Sequence, residues 1–132
     1  MVRARRLVEV GIGQGNDSVI DELVAPGCVE HQRGNNPGVE GVKQVAATLH
    51  RWMSDFSLTV EDVAISGDLV WTRNRARGVN TGAVMGHAPT GKLVEVDVFD
   101  VCRFEAGQVV EHWGVADQVG LLLQVGGLPP RA

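Results

Sequence analysis

Apolar and polar positions alternate most regularly in the last third of the chain, where Leu93 to Phe104 and Gln108 to Asp117 each repeat with a period of two. Such alternation predicts two half-buried β-strands, joined here through Glu105-Ala106-Gly107. A three-residue loop, a type I turn followed by Gly in the left-handed region, would set Phe104 opposite Gln108 and Asp100 opposite His112. Directly opposed side chains have Cβ atoms about 4.5–5.5 Å apart, within reach of a hydrogen bond. A two-residue loop would shift the register by one, pair Asp100 with Trp113 and part the two groups.

Upstream, Phe56 to Ser66 and Leu69 to Gly78 predict a second hairpin around Gly67-Asp68. Before it, Val42, Val45, Ala46, Leu49, Trp52 and Met53 recur at spacings of three and four, the apolar stripe of one long helix. Asp17 or Ser18 is a suitable N-cap for a short helix running to Leu23 or Val24. A weaker, Gly-interrupted helix carries Leu7, Val8, Val10 and Ile12. Pro26-Gly27 breaks the pattern, and Cys28 to His31 reads as a short strand. Asn80 to Thr90 reads as a loop or stretched strand edge, Leu121 to Leu123 as a C-terminal cover, and Pro129-Pro130 as a tail. Helices first and a meander of strands afterwards predict an α+β fold in a single domain, residues 1–132.

Parity then sorts side chains between the two faces of the sheet. Val94, Val96, Val98, Asp100 and Cys102 share one face, with Val110, His112, Gly114 and Ala116 beside them, and Thr72, Asn74 and Ala76 on the earlier strand. The other face carries Glu95, Asp97, Arg103, Glu111, Trp71, Arg73, Arg75, Arg77 and Trp113. That outer face reads either as a solvated ladder of ion pairs, each worth little, or as a subunit interface to which Trp71 and Trp113 add apolar area.

A formal charge of -4 argues against a nucleic-acid backbone or an anionic membrane as partner. No apolar run approaches the roughly 18 residues that cross a bilayer. The basic start Met1 to Arg6 lacks the apolar stretch of a secretory leader, so the expected location is cytoplasmic. Cys28 and Cys102 match no metal-ligand spacing and read as free buried thiols. The four His show no spacing of four, with one another or with a carboxylate, so no metal is expected.

An acid and an imidazole on an otherwise apolar face are the ingredients of a proton-transfer site. Asp100 could shuttle a proton or only orient His112; His112 could act as base, as donor to a ligand carbonyl, or as a satisfied core histidine. His31 could reach the cavity mouth or lie on the surface, and Glu30 has the opposite parity, so at most one of the two points inward. Trp52, Met53 and Phe56 could roof a pocket for a flat ligand or serve as plain core. Asn74 could donate to a ligand oxygen or satisfy a backbone group. Val98, Cys102 and Gly114 would complete the ligand's surroundings. His50 and His87 are expected in solvent.

The chain resembles the SnoaL-like polyketide cyclases and the wider ester-cyclase group. The likeness rests on Asn16-Asp17 with Asp21-Glu22-Leu23, Ala25-Pro26 before Glu30-His31, and Pro37-Gly38-Val39-Glu40-Gly41 leading into the long helix. Gly78 to Gly82, Pro89-Thr90-Gly91-Lys92, Asp100 to Phe104, Glu111-His112-Trp113 and the stretch from Asp117 to Gly126 follow in the same order. The resemblance implies the cone-shaped fold shared with ketosteroid isomerase, limonene epoxide hydrolase and nuclear transport factor. In that fold three N-terminal helices pack on a strongly curved, mostly antiparallel sheet around an apolar pocket, and homodimers are common.

It also implies cofactor-free acid/base chemistry on a hydrophobic, even polycyclic, small molecule. In those cyclases an Asp two residues after the His of the last strand is the acid and base; here that position is Gly114. The epoxide hydrolases' Arg and Asp on an earlier strand correspond to Asn74 and Ala76. The expected activity is therefore cyclisation, isomerisation or hydrolysis carried by Asp100 and His112, with Asn74 polarising an oxygen. The alternative is a non-catalytic binding protein for hydrophobic small molecules, and a third reading is a protein-interaction module using the outer Trp and Arg face.

Overall fold

A computed structural model describes residues 1–129. Within them the chain forms α1 (Val2–Arg6), a π-helical segment (Leu7–Ile12), α2 (Asp17–Leu23), β1 (Val24–Glu30), α3 (Gly38–Trp52), β2 (Met53–Ser66), β3 (Leu69–Asn80), β4 (Leu93–Glu105), β5 (Gln108–Ala116) and α4 (Gln118–Gln124). The five strands make one mixed sheet in the order β1-β5-β4-β3-β2, antiparallel except for β1 beside β5. It is an α+β cone whose sheet stays open and does not close into a barrel. No helix among the described residues is long and apolar enough to cross a membrane. Pro130 of the expected tail lies outside the described residues.

Local chemistry accounts for the helix boundaries. The cap of α2 is Asn16 rather than Asp17 or Ser18: its side chain accepts from the Val19 amide at 3.2 Å. The expected weak first helix is α1 running into the π-helical segment, with Leu7 and Val8 buried. Met53 opens β2 instead of closing the α3 stripe, at the point where the backbone turns extended. Asn80 ends β3 and organises the loop after it, its amide donating to Trp52 O and Gly82 O while its oxygen accepts from the Thr90 amide and hydroxyl.

The core lies between the helices and the concave face of the sheet. One cluster joins Val8, Leu58, Val60, Ala76, Val94, Val96 and Leu121; the other joins Leu7, Ile20, Leu23, Val24, Cys28, Cys102 and Val109. On the convex face the expected ion pairs form: Arg75 to Glu95 and Asp97, Arg77 to Glu95, Arg73 to Asp62, and Arg103 to Asp68 and Glu111.

The final hairpin departs from the expected register. Glu105 pairs with Gln108, so only Ala106 and Gly107 turn the chain, with φ of 50° and 80°. Positive φ at both central residues matches the right-handed twist of the flanking strands, and this tight turn wins over the three-residue loop. A bulge follows between Arg103 and Phe104, so that Cys102, not Asp100, pairs with His112, and Asp100 pairs with Gly114. The bulge also makes Val109 the buried residue at this end of β5, while Val110 is only half-buried.

Candidate functional site

The two-residue turn alone would have thrown Asp100 and His112 onto opposite faces. One extra residue in the bulge restores the phase, because strand side chains repeat every two positions. Both groups therefore point into the cone, along the diagonal of the ladder rather than directly across it. His112 Nε2 lies 2.7 Å from Asp100 Oδ1.

β1 supplies the third member. Glu30 sits beside His112 on the parallel neighbour strand, and both its oxygens reach His112 Nδ1, at 2.7 and 2.8 Å. The side chains of Glu30, Asp100 and His112 are 5%, 15% and 17% exposed. Burial disfavours the charged imidazole, but hydrogen bonds and attraction from Asp100 and Glu30 outweigh it and push the His112 pKa up to about 9. At neutral pH the ring is thus an imidazolium donating from both nitrogens.

Asn74, fully buried on β3, donates from Nδ2 to Asp100 Oδ2 at 2.7 Å and to Thr72 Oγ1 at 3.1 Å. Its own Oδ1 has no partner among the described residues. The carboxylate thus dictates the amide's orientation at the expense of the amide's oxygen. Asn74 is spent on holding Asp100 and does not line the cavity, contrary to the expectation that it meets a ligand.

The cavity beside these groups has a volume of about 490 Å³. Its walls include Val8, Leu49, Trp52, Met53, Leu58, Val96, Val98 and Cys102; Glu30, Gln32, Asp100 and His112 are among its polar lining, with Arg33, Asn35 and Gln118. Of the expected ligand-binding residues, Trp52, Met53, Val98 and Cys102 line this cavity. Phe56 does not: it packs against the core and edge-on to His50, with ring centroids 5.1 Å apart. His50 is exposed, as expected, whereas His87 is half-buried in its loop.

His31 also misses the cavity. It stacks flat on Trp113, centroids 4.8 Å apart, and its Nε2 is 2.7 Å from Glu111 Oε2 on the convex face. Hydrogen bonds from His31 and Arg103 hold the Glu111 carboxyl below its usual range. Successive residues of β1 alternate between faces, and Cys28 is buried, so Glu30 takes the inner place and His31 the outer one. Period-two counting from an assumed buried Cys28 would have found Glu30, and carried one step further would have found Gln32.

Gly114 offers no wall to the cavity either, and the position is not an empty gap. A Cβ built there would overlap Gln32 Oε1 and lie 2.7 Å from Asp100 Oδ1 and 2.9 Å from His112 Cε1. The Gln32 carboxamide fills the place that a side chain at 114 would take. The two thiols are poor nucleophiles: burial, with Glu30 and Glu111 near, pushes Cys28 up to about 11, and burial beside Asp100 raises Cys102 as well. Among the described residues no group of three His, Cys, Asp or Glu is arranged to hold a metal ion.

The chain belongs to the SnoaL-like polyketide cyclase family, whose model matches residues 2–125. Among solved structures it is similar to IdmH of Streptomyces antibioticus, described as a candidate polyketide cyclase. That chain is 32% identical, with 95% of this chain and 96% of that one covered and a TM-score of 0.83. AclR of Streptomyces galilaeus, described as a candidate hydroxylase, is 25% identical over 99% of this chain and 83% of that one, with a TM-score of 0.86. TsrD of Streptomyces laurentii, 24% identical over 97% and 92% with a TM-score of 0.83, shares the fold. No curated protein matches the chain.

Proposed function

We propose that the protein catalyses a cofactor-free proton-transfer reaction, a cyclisation or isomerisation, on a hydrophobic small molecule held in the cavity of about 490 Å³. The observation that carries this reading is the row Glu30–His112–Asp100, closed by Asn74. Two acidic side chains flank one imidazole at the polar end of the cup, so a proton can be taken and given back within the row. Asp100, at the cavity wall, takes a proton from an activated carbon and returns it to the oxygen formed when the new bond closes. His112 supplies the balancing positive charge, and Glu30 holds the ring in place from behind.

Membership of a polyketide cyclase family and the likeness to IdmH support a substrate carrying several carbonyl groups, whose neighbouring carbons are acidic enough for a carboxylate. The test is incubation with polycyclic and polyketide-like ketones that raise the melting temperature. Both reaction types leave mass unchanged, so product is sought as a new chromatographic peak of equal mass. Product formed equally well by Asp100→Asn would refute the assignment.

Gly114, where the cyclases' resemblance implies a carboxylate, favours a second reading: a binding protein that holds such ligands without consuming them. It predicts stabilisation by ligand with no product over long incubation. Self-association through the convex face belongs to the first proposal as well. Trp71, Phe99 and Val115 are exposed there, and sedimentation measures the resulting mass.

A further inference from the structure

The carboxamide of Gln32 lies where nothing in the proton-transfer row requires it. Gln32 follows β1 and is pinned by its backbone: its amide donates to Glu30 Oε1 at 2.8 Å, and its carbonyl accepts from the Asn35 amide at 3.2 Å. The same Glu30 carboxylate therefore fixes both His112 and the start of this loop. The side chain then reaches over Gly114, and its Oε1 occupies the room a Cβ there would need, beside Asp100 Oδ1 and His112 Cε1. Its amide N–H groups have no hydrogen-bond partner among the described residues, and the side chain borders the cavity.

Hydrogen-bond accounting at the polar end of the cup makes this position matter. Glu30 and Asp100, as carboxylates, only accept. His112, as imidazolium, has two N–H groups, and both are taken by those carboxylates. Asn74 has given both its amide hydrogens to Asp100 and Thr72. A carbonyl oxygen entering beside Asp100 and His112 needs a donor, and of the side chains packed against that pair the Gln32 amide is the one left unpaired, while Arg33, Asn35 and Gln118 also border the cavity. We infer that Gln32 binds the substrate's carbonyl oxygen, and that Gly114 exists to let it do so. The inference deepens the proposed acid/base reading and rests on it for the word substrate, but the binding role stands independently of turnover. A neutral amide can polarise that oxygen and steady the enolate formed on it, yet cannot move a proton, which leaves Asp100 alone with that task. The same geometry makes Gln32 and Gly114 mutually dependent: a side chain at 114 evicts the carboxamide.

The experiment compares two probes of nearly equal shape, 2-acetylnaphthalene, whose oxygen can only accept, and 2-isopropenylnaphthalene, which has none. The wild-type protein is expected to prefer the ketone by about five- to tenfold in dissociation constant, the worth of one buried neutral hydrogen bond. Gln32→Leu removes the donor and should abolish the preference while the melting temperature stays near wild type, since the Gln32 side chain supports no other group. Gly114→Ala displaces the carboxamide and should also abolish the preference, with a lower melting temperature because the added methyl presses on Asp100 Oδ1 and His112 Cε1 too. Asp100→Asn should keep the preference even when turnover is lost, which separates this inference from the acid/base assignment. A ketone preference that survives Gln32→Leu, or a wild-type protein that binds the two probes alike or neither of them, overturns it.

Discussion

Glu30 and His112 lie side by side on the parallel strand pair, with both carboxylate oxygens within 2.8 Å of the ring's Nδ1. Because Asp100 grips Nε2 from the other side, the ring is held as a cation in a place where burial alone would have neutralised it. This fixes the sign of the protein's response to alkali. A His whose pKa is raised from about 6.5 to about 9 stabilises the fold fully below the lower value and loses that contribution as pH rises through the higher one. The melting temperature should therefore fall between pH 7 and about 9.5. His112→Gln should flatten this slope, and thermal denaturation across that range checks it.

Turnover should follow the same group. With the imidazolium as the balancing charge beside Asp100, activity should decline with an apparent pKa near 9 on the alkaline side. Glu30→Gln removes one of the two partners holding the proton, so the alkaline limb and the His112 ring titration seen by NMR should both move to lower pH. A limb that stays in place would show that some other group controls it.

Asp100→Asn should lower turnover by at least about a hundredfold, the usual worth of a positioned acid/base group, while ligand affinity changes only a few-fold. Asn keeps the shape and can still meet Asn74 and His112, so the two measurements separate chemistry from packing. Comparable losses in both would mean that Asp100 serves binding.

Gly41, near the start of α3, has no room for a side chain: a Cβ would overlap the Asn36 carbonyl of the loop that carries Gln32. Gly41→Ala should cost about 1–3 kcal/mol in denaturant unfolding and weaken ligand binding by shifting that loop. Gly27→Ala is the control. Nothing lies within 4 Å of the added atom, so its effect should stay within about 0.5 kcal/mol.

Cys28 and Cys102 are buried free thiols, and Cys28 is raised to about 11. Neither should be alkylated by iodoacetamide at pH 7.5 in the folded protein, and both should react on unfolding, as mass spectrometry would record.

Much of the fold was legible from periodicity. The alternation in β3 and β4 assigned Thr72, Asn74, Ala76, Val94, Val96, Asp100 and Cys102 to the concave face, where the structure has them. The pairing partner of His112 was not legible. A tight turn through Ala106 and Gly107 followed by a bulge replaced the three-residue loop, and the two differ by two positions in register. Faces survive a shift of two and partners do not, which is why Asp100 and His112 still meet although Cys102 is the residue paired with His112.

What the chain by itself determined is therefore the set of side chains on each face, because pleating ties facing direction to residue parity and needs no knowledge of neighbours. What only the tertiary structure decided is which of them touch. Glu30 reaches His112 because β1 docks parallel to β5 across more than eighty residues of intervening chain, a pairing with no local signal. Gln32 reaches Gly114 for the same reason: a missing side chain has consequences only once another part of the molecule arrives to fill its space.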